Sequence, residues 1–357
     1  MPWHSVHVFY HAPDKDGLLL DAVRPLLERI EPHVEAAFVL RHWRRGPHLR
    51  FNARCERDVW ERAVRPAVDE VVGGYLARHP STTVLDPAAS LDRHRLLAVR
   101  EQEPGPLTPW PADNSIHEAP YDSRQHVLGS EEAVELLARF YTASTPLLMD
   151  MLQHVRAGHA CKADLAQCLL LTVAHTAHPI VRSFVSFRVH AEGYLTWAGD
   201  PSAARAAFDG SYQARASHLV PLTRAAIAAL DDPAAPAVPF VREWAALLAA
   251  FRERAGALGL APPDKPSADI LAPQREYGEL HRLIFDNPAY YRDVFAKPEF
   301  SQYRVLLNYT YLHLTRMGLT PLDRFYVCHA TASSVEEAFG VSALELMRRY
   351  GEQASPA

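Results

Sequence analysis

The chain has 357 residues, 48% hydrophobic and 22% charged, with a formal net charge of -5 at pH 7 and a pI near 6.4. That balance belongs to a soluble globular protein able to bury an ordinary core. It excludes general affinity for nucleic acid or an anionic membrane, so any anion binding must be local. The longest apolar runs, such as CLLLTVA (168–174), fall far short of the roughly 20 residues that a spanning helix needs. The N-terminus MPWHSVHVFYH has neither the basic start nor the apolar stretch of a secretory signal, and the expected location is the cytoplasm. Cys55, Cys161, Cys168 and Cys328 form no CxxC pair and no disulfide-scaffold spacing, so they are expected to be reduced thiols used as small apolar residues.

In chain order, Val6, Val8 and Tyr10 alternate with His7 and Phe9, which predicts a strand over about 3–11. Leucines and valine at helical spacing predict a helix over 16–31. EAAFVLRHW (35–43) and HLRFNARC (48–55) read as two more strands, joined through Arg44, Arg45, Gly46 and Pro47, where Gly46 and Pro47 supply a hairpin turn. An amphipathic helix over 57–78 and a short strand, STTVL (81–85), complete a β-α-β-β-α-β order, that of a ferredoxin-like α/β sandwich. From residue 87 the pattern changes. Residues 101–126, with PGPLTPWPADN, have few periodic positions and are expected to form an extended loop, and unusually long loops in compact domains tend to be functional or disordered.

Helical periodicity then dominates, over about 130–157, 161–198, 201–230, 237–257, 276–286, 298–317 and 333–350. Proline-rich breaks fall at 231–239 and 261–267. The expected fold class is α+β: an N-terminal ferredoxin-like unit with a mostly helical remainder, in one unit over 1–357. Its parts are a sheet-rich 1–90, a loop-rich insertion at 91–130 and a mainly helical 131–357.

Two stretches carry the chemistry. RHWRRGPHLR (41–50) packs four arginines and two histidines into ten positions of an acidic chain. In PEFSQYRVLLNYTYLHLTRM, with Tyr311 placed at 0°, Arg304 falls at about 20°, Thr315 at about 40°, Asn308 at about 60° and Ser301 at about 80°. The rest of that helix is apolar around most of its girth, which predicts burial. Its polar stripe must then face a site wall, a structural hydrogen-bond network or solvent.

Other constellations are weaker. His175 and His178 form HxxH on an apolar helix, with His154, His159 and His190 nearby, but no acidic third ligand or HExxH accompanies them, and no metal is expected. GxGxxG, GxxxxGK[ST] and GxSxG are absent, and no cysteine has an evident histidine partner for nucleophilic catalysis.

WHSVHVFYH, LLLDAVRPLLERI and FVLRHWRRGPHLRFNAR together resemble the elimination domain of class I lanthipeptide dehydratases and its stand-alone relatives from thiopeptide biosynthesis. The resemblance is carried by Gly46, Pro47, His48, Leu49 and Arg50, and it returns at SQYRVLLNYTYLHLTRMG (301–318). Elimination domains of that family usually carry two arginines spaced by one residue after the GPH element, whereas Arg50 here is followed by Phe51 and Asn52. They also use a histidine five residues before the late helix's final arginine. Here that position is Tyr311, five before Arg316, with Thr315 where asparagine is common. One branch fits these losses: HWRRGPHLR and WPADNSI (110–116) look like the thiopeptide pyridine synthases.

That resemblance implies a formal four-plus-two aza-cycloaddition between two dehydroalanines of a leader-bearing, azole-containing precursor peptide. Dehydration and leader elimination follow, with no cofactor required. The diene component needs one amide as its iminol, which suits a neutral tyrosine such as Tyr311 that both donates and accepts. Ser301 and Asn308, on the same arc, would hold peptide carbonyls, and His48 and Arg50 would polarise or orient the substrate. Arg41, Arg44 and Arg45 would form a positive rim for an acidic leader, and Arg304, Trp110 and Tyr303 are further candidates for substrate contact.

Alternatives stand beside these. The hairpin arginines suit pairing with surface carboxylates, the leader can dock in an apolar groove or at a sheet edge, and Glu101 or Glu103 can do the proton work. The ordinary glutamate elimination of the family and a non-catalytic escort of the precursor are the competing functions.

Overall fold

A computed structural model of the chain describes residues 1–260 and 278–354. The chain divides into two compact units. The first comprises Met1–Ala157 with Thr315–Gly318, and the second Gly158–Leu314 with Leu319–Ala357.

The first unit is built on a four-stranded antiparallel sheet of β1 (Trp3–Phe9), β2 (Ala36–His42), β3 (His48–Arg54) and β4 (Ser115–Ala119), in the order β2-β3-β1-β4. Alternation sorts the side chains into two faces. Val6, Val8, Leu49, Phe51 and Ala53 point to a dry side, where all are at most 1% exposed. Helix α1 over residues 16–30 contributes Leu18, Leu26 and Ile30 to the core, and helix α2 over residues 57–78 contributes Trp60, Val64 and Val68. Each continues through π-helical turns, at Leu19–Val23 in α1 and at Trp60–Val64 and Asp69–Gly73 in α2. A Cβ on Gly73 of α2 would lie 3.9 Å from Ile116 of β4.

One expected element is corrected. Residues 81–85 are not a strand, and Thr82, Val84 and Leu85 are exposed. The strand beside β1 is β4, from within the stretch expected to be a loop. Its alternation spans five residues with one strong apolar position, Ile116, so it is recognisable mainly by its pairing with β1. Before it comes a helix not expected from periodicity, α3 (Pro87–Glu101), whose N-cap Asp86 accepts from the Ala88 N–H at 2.8 Å. Helix α4 (Glu131–Arg156) closes the unit and packs on β2.

The second unit is helical. Among the described residues its longer helices are α5 (Lys162–His175), α6 (Val185–Trp197), α7 (Pro201–Gln213), α8 (Ala216–Asp231), α9 (Val241–Ala257), α10 (Glu279–Phe285), α11 (Pro298–Arg316), α12 (Pro321–Phe339) and α13 (Ala343–Ala354). The last residues of α11 belong to the first unit. From Leu165 to Ala174 every residue of α5 is buried, and α5 packs against α8, α9 and α12, as expected of a central helix. The run expected over 161–198 breaks around Pro179, and that over 201–230 breaks at residues 214–215. In place of the helix expected over 333–350 stand α12, which opens on a capping box of Thr320 and Asp323 and ends at Gly340 in a left-handed conformation, and then α13. The expected break at 261–267 and the first residues of the helix expected over 276–286 lie outside the described residues.

Among the described residues no single helix is long and apolar enough to cross a membrane.

Candidate active site

In the first unit, the sheet face opposite Val6 and Phe51 sets buried polar side chains beside the buried Phe9 and Phe38. The antiparallel register sets His7 of β1 opposite Arg50 of β3 on one side and His117 of β4 on the other, and sets His42 of β2 opposite His48. His48 and Arg50 are 1% and 5% exposed. The His48 ring stacks on His7 at 4.6 Å and lies 4.7 Å from Phe9.

Hydrogen bonds fix the tautomers. His48 Nδ1–H donates to the Gly46 carbonyl at 2.8 Å, which leaves Nε2 as an acceptor 3.4 Å from Arg50 Nε. His42 Nδ1 accepts from the Arg44 N–H at 3.1 Å and faces Arg50 Nη2 at 3.2 Å, so its proton sits on Nε2, directed at Glu103 Oε1 at 3.2 Å. Burial, above all, pushes His42 and His48 well below the usual histidine range; the Arg50 and Arg44 guanidiniums add to this at His42, and the close His42 and His7 rings, which would compete for a proton, add to it at His48. His7 is lowered to about 3, by burial and then by Arg50. These rings are neutral at pH 7 and surround a charged guanidinium, since burial brings Arg50 down only to about 10.

Arg50 is itself occupied. Its Nη1 donates to Asp122 at 3.1 Å, and its Nη2 lies 3.9 Å from Glu103. The Glu103 side chain is 1% exposed and also pairs with Arg124 and with Arg44, whose Nε is 3.7 Å away. Segment 102–114 is strapped over the β2–β3 hairpin. Arg44 donates to the Pro104 carbonyl, and Arg45 Nε donates to the Pro109 carbonyl at 2.8 Å. Trp110 fits against Gly46, whose φ is +102° and where a Cβ would come within 2.9 Å of the indole. The Trp110 N–H donates to the Leu107 carbonyl at 3.1 Å.

Of the three arginines expected as a rim, Arg44 and Arg45 therefore secure this segment. Arg41 donates from Nε to the Arg316 carbonyl at 2.9 Å and from Nη2 to Asp16 at 2.8 Å. Glu101, the other candidate for proton transfer, is exposed and accepts from the Trp43 indole at 2.8 Å.

In the second unit, α11 carries the other candidates. Tyr303 is buried, and its hydroxyl lies 2.5 Å from Ser186 Oγ. Ser301 and Arg304 are half-buried and Asn308 is exposed, so the arc marked by the sequence includes an exposed position of a largely buried helix. Tyr311, at one edge of that arc, is 9% exposed and stacks on His190 of α6 at 4.9 Å and 19°. Its hydroxyl is 3.5 Å from the Cys328 sulfur on α12, and the Arg324 guanidinium lies over its ring at 5.4 Å. Burial, then Cys328, raises the phenol well above its usual range, and burial pushes the Cys328 thiol up to about 12. Both groups are neutral over any working pH.

The structure thus brings His48 and Arg50 together in the first unit, with Arg44, Arg45 and Trp110 grouped beside them and Arg41 directed elsewhere. It places Ser301, Tyr303, Arg304, Asn308 and Tyr311 along one helix of the second. Sequence reasoning did not connect Asp122, Arg124, His7 or His42 with Arg50, nor His190 or Cys328 with Tyr311. The alternation of HSVHVF marked His7 as facing away from the core, but nothing local marked Arg50 as its neighbour.

A cavity of about 440 Å³ in the second unit is lined by Arg188, Glu192, Arg205, Glu279, His281 and Glu336 among others. Its charges are paired: Arg188 with Glu336, Arg205 with Glu192, and Glu279 with Arg348 outside the lining. Among the described residues no three His, Cys, Asp or Glu side chains are grouped to hold a metal. His175, from the HxxH pair, accepts from the Ile180 N–H at Nδ1 and donates from Nε2 to the Asp231 carboxylate at 2.7 Å.

Sheet, helical remainder and the GPHLR strand define a member of a known class: the chain belongs to the family described as the lantibiotic biosynthesis dehydratase C-terminal domain, whose model matches residues 3–335. Within that class it is similar to the pyridine synthase TbtD from thiomuracin biosynthesis, at 35% identity over 96% of this chain and 100% of that one, with a TM-score of 0.77. It also shares its fold with TsrL, at 22% identity over 100% of this chain and 99% of that one, with a TM-score of 0.69. The tRNA-dependent lantibiotic dehydratase MibB from Microbispora sp. 107891 is more distant, at 15% identity and a TM-score of 0.50 over 98% of this chain and 28% of that one. No curated protein sequence matches the chain.

Proposed function

We propose that this protein forms the pyridine at the centre of a thiopeptide macrocycle, by a formal four-plus-two aza-cycloaddition between two dehydroalanines of a leader-bearing, azole-containing precursor peptide. Loss of water and of the leader would complete the aromatic ring. The observation that carries this reading is the 35% identity to a thiomuracin pyridine synthase along nearly the whole of both chains. The family match runs through residues of both compact units, which supports taking the chain as one elimination-domain-like unit, and the strand order β2-β3-β1-β4 supports a ferredoxin-like start.

The two dehydroalanines lie far apart along the peptide, and closing that loop costs entropy that binding can prepay. Well-oriented intramolecular reactions gain roughly 7–11 kcal/mol in this way. An amide becomes an iminol when its oxygen gains a proton and its nitrogen loses one. Tyr311, kept neutral by burial, suits that exchange because a phenol both donates and accepts. Ser301 and Asn308 would hold peptide carbonyls, with Arg304 and Tyr303 as further contacts on the same helix. His48 and Arg50 would orient the peptide, and Arg41, Arg44, Arg45 and Trp110 would contribute to leader binding through the hairpin and its strap.

Glutamate elimination, the other activity of the family, asks for a cationic site that takes a substrate carboxylate. Arg50 already holds Asp122 at 3.1 Å and faces Glu103, so its charge is met from within the chain, which favours cyclisation. Mass spectrometry of the protein with a leader-bearing azole peptide carrying two dehydroalanines tests the reading. Loss of water with release of a leader amide is the expected result. An unchanged mass, together with glutamate loss from a glutamylated peptide, would return the protein to the elimination class. Binding without any change in mass would make it an escort.

A further inference from the structure

The Tyr311 ring is held between two groups, the His190 imidazole stacked at 4.9 Å and the Arg324 guanidinium at 5.4 Å. These contacts fix the plane of the ring but not the direction of its O–H. Cys328 is 0% exposed and has its sulfur 3.5 Å from that oxygen. It lies one helix further along the chain, on α12, and either atom can be the donor.

We propose that Cys328 is a positioning residue for Tyr311: its thiol orients the phenol O–H, and it turns to donate to the phenol oxygen when that proton moves to a substrate amide oxygen. The proposal rests on the reading of Tyr311 as the proton-transfer group. The proton count closes. The amide oxygen gains the phenol proton, the amide nitrogen gives one back to the phenolate, and the S–H bond stays intact throughout. A thiol suits this place because it is a weak acceptor and a weak donor, and so does not hold the phenol proton against an incoming amide oxygen.

The same sulfur would be a hazard if it ionised. A thiolate adds to the methylene carbon of a dehydroalanine, forming a thioether and consuming both enzyme site and substrate. Only the thiolate is strongly nucleophilic, and complete burial keeps Cys328 protonated, outweighing the opposing pull of the nearby Arg324 guanidinium. Dehydroalanine chemistry and a free thiol can therefore coexist in one site.

Steady-state kinetics of the full-length protein with the two-dehydroalanine peptide test the proposal. Cys328→Ala and Cys328→Val, the second of which keeps the side-chain volume should the first fail to fold, are expected to lower kcat about tenfold with KM unchanged, the loss of one hydrogen bond. Cys328→Ser, which retains a donor and an acceptor, is expected to restore kcat to within about threefold of wild type. Tyr311→Phe is expected to lower kcat by about 10² or more. If Tyr311→Phe is inactive but the folded alanine and valine variants keep wild-type kcat, or raise KM instead, the Cys328 proposal is overturned and the reading of Tyr311 stands. If Tyr311→Phe turns over normally, that reading falls, and the Cys328 proposal with it. Intact-mass spectrometry after many turnovers should show no peptide adduct, and an adduct on Cys328 would also overturn the proposal.

Discussion

The guanidinium of Arg316 reaches from the end of α11 to the main chain of β2, with its Nε donating to the Val39 carbonyl at 3.0 Å. Its other nitrogens donate to the Ser144 and Thr145 hydroxyls on α4 at 2.7 and 2.5 Å, and it lies over the Tyr141 ring at 5.4 Å. Arg41 closes the circuit by donating to the Arg316 carbonyl. The final arginine of the late helix thus serves as a fork that joins sheet, α4 and helix end within the first unit. Burial lowers it only to about 10, so it is charged at pH 7 and its partners are neutral oxygens.

Arg316→Met should cost about 3 kcal/mol, because it leaves the Val39 carbonyl without its donor and removes charge-assisted bonds that water cannot replace. Arg316→Lys should recover little of this, since one ammonium cannot reach three acceptors held by a planar fork. Urea denaturation followed by tryptophan fluorescence measures both. Equal stability of the methionine variant and wild type would show that the fork contributes nothing.

Glu103 is the second test of the same unit. With its side chain 1% exposed among Arg44, Arg50, Arg124 and His42, its loss would leave three guanidinium groups close together, with Asp122 the remaining carboxylate in ion-pair contact with them among the described residues. Glu103→Gln should destabilise the protein by about 3 kcal/mol. Amide hydrogen exchange should rise first in the 102–114 strap. A rise spread evenly over the molecule would mean that Glu103 does not secure that segment.

The neutral histidines of the sheet face opposite Val6 and Phe51 make stability depend on pH. His7 titrates at about 3 in the folded protein against 6.5 when unfolded, facing Arg50, Arg44 and Arg45 with Asp122 as the opposing charge. Between those values the unfolded chain binds the extra proton, so stability rises with pH there. The contribution is fully present above 6.5 and is lost as pH falls toward 3. His42 and His48 shift in the same direction. Each such site adds up to about 1.4 kcal/mol per pH unit to the slope. Denaturation at pH 7.5, 6.5 and 5.5 should show stability falling in the acid steps, and His7→Gln should flatten that fall. An unchanged slope in the variant would mean that His7 is already protonated in the fold.

At Gly46 the prediction is conformational. Its φ of +102° is costly for any residue with a Cβ, and that Cβ would strike the Trp110 indole at 2.9 Å. Gly46→Ala should therefore cost about 2 kcal/mol and shift Trp110 fluorescence as the strap moves. Wild-type stability with an unshifted spectrum would show that the hairpin absorbs the change.

Much of this architecture was legible because it is local. The strands at 36–42 and 48–54, the helix over 57–78 and the helix over 298–316 announce themselves by periods of two or 3.6 residues, within a residue or two of where they stand. β4 was missed because its alternation is short and its apolar content low, so that pairing with β1 defines it more than its own residues do. The late helix's polar arc was also legible, since Ser301, Arg304, Asn308 and Tyr311 follow from spacing alone. What surrounds them was not.

The family match agrees with a resemblance already visible in the primary structure, at the glycine-proline-histidine hairpin and at the late helix over 301–318. What each charged or reactive group meets is set by the folded chain. Arg50 meets Asp122 across 72 residues, and Tyr311 meets Cys328 across 17. The reason is physical: periodicity reports which face of an element a side chain occupies, whereas partners and protonation states depend on burial and distance between segments that share no local signal.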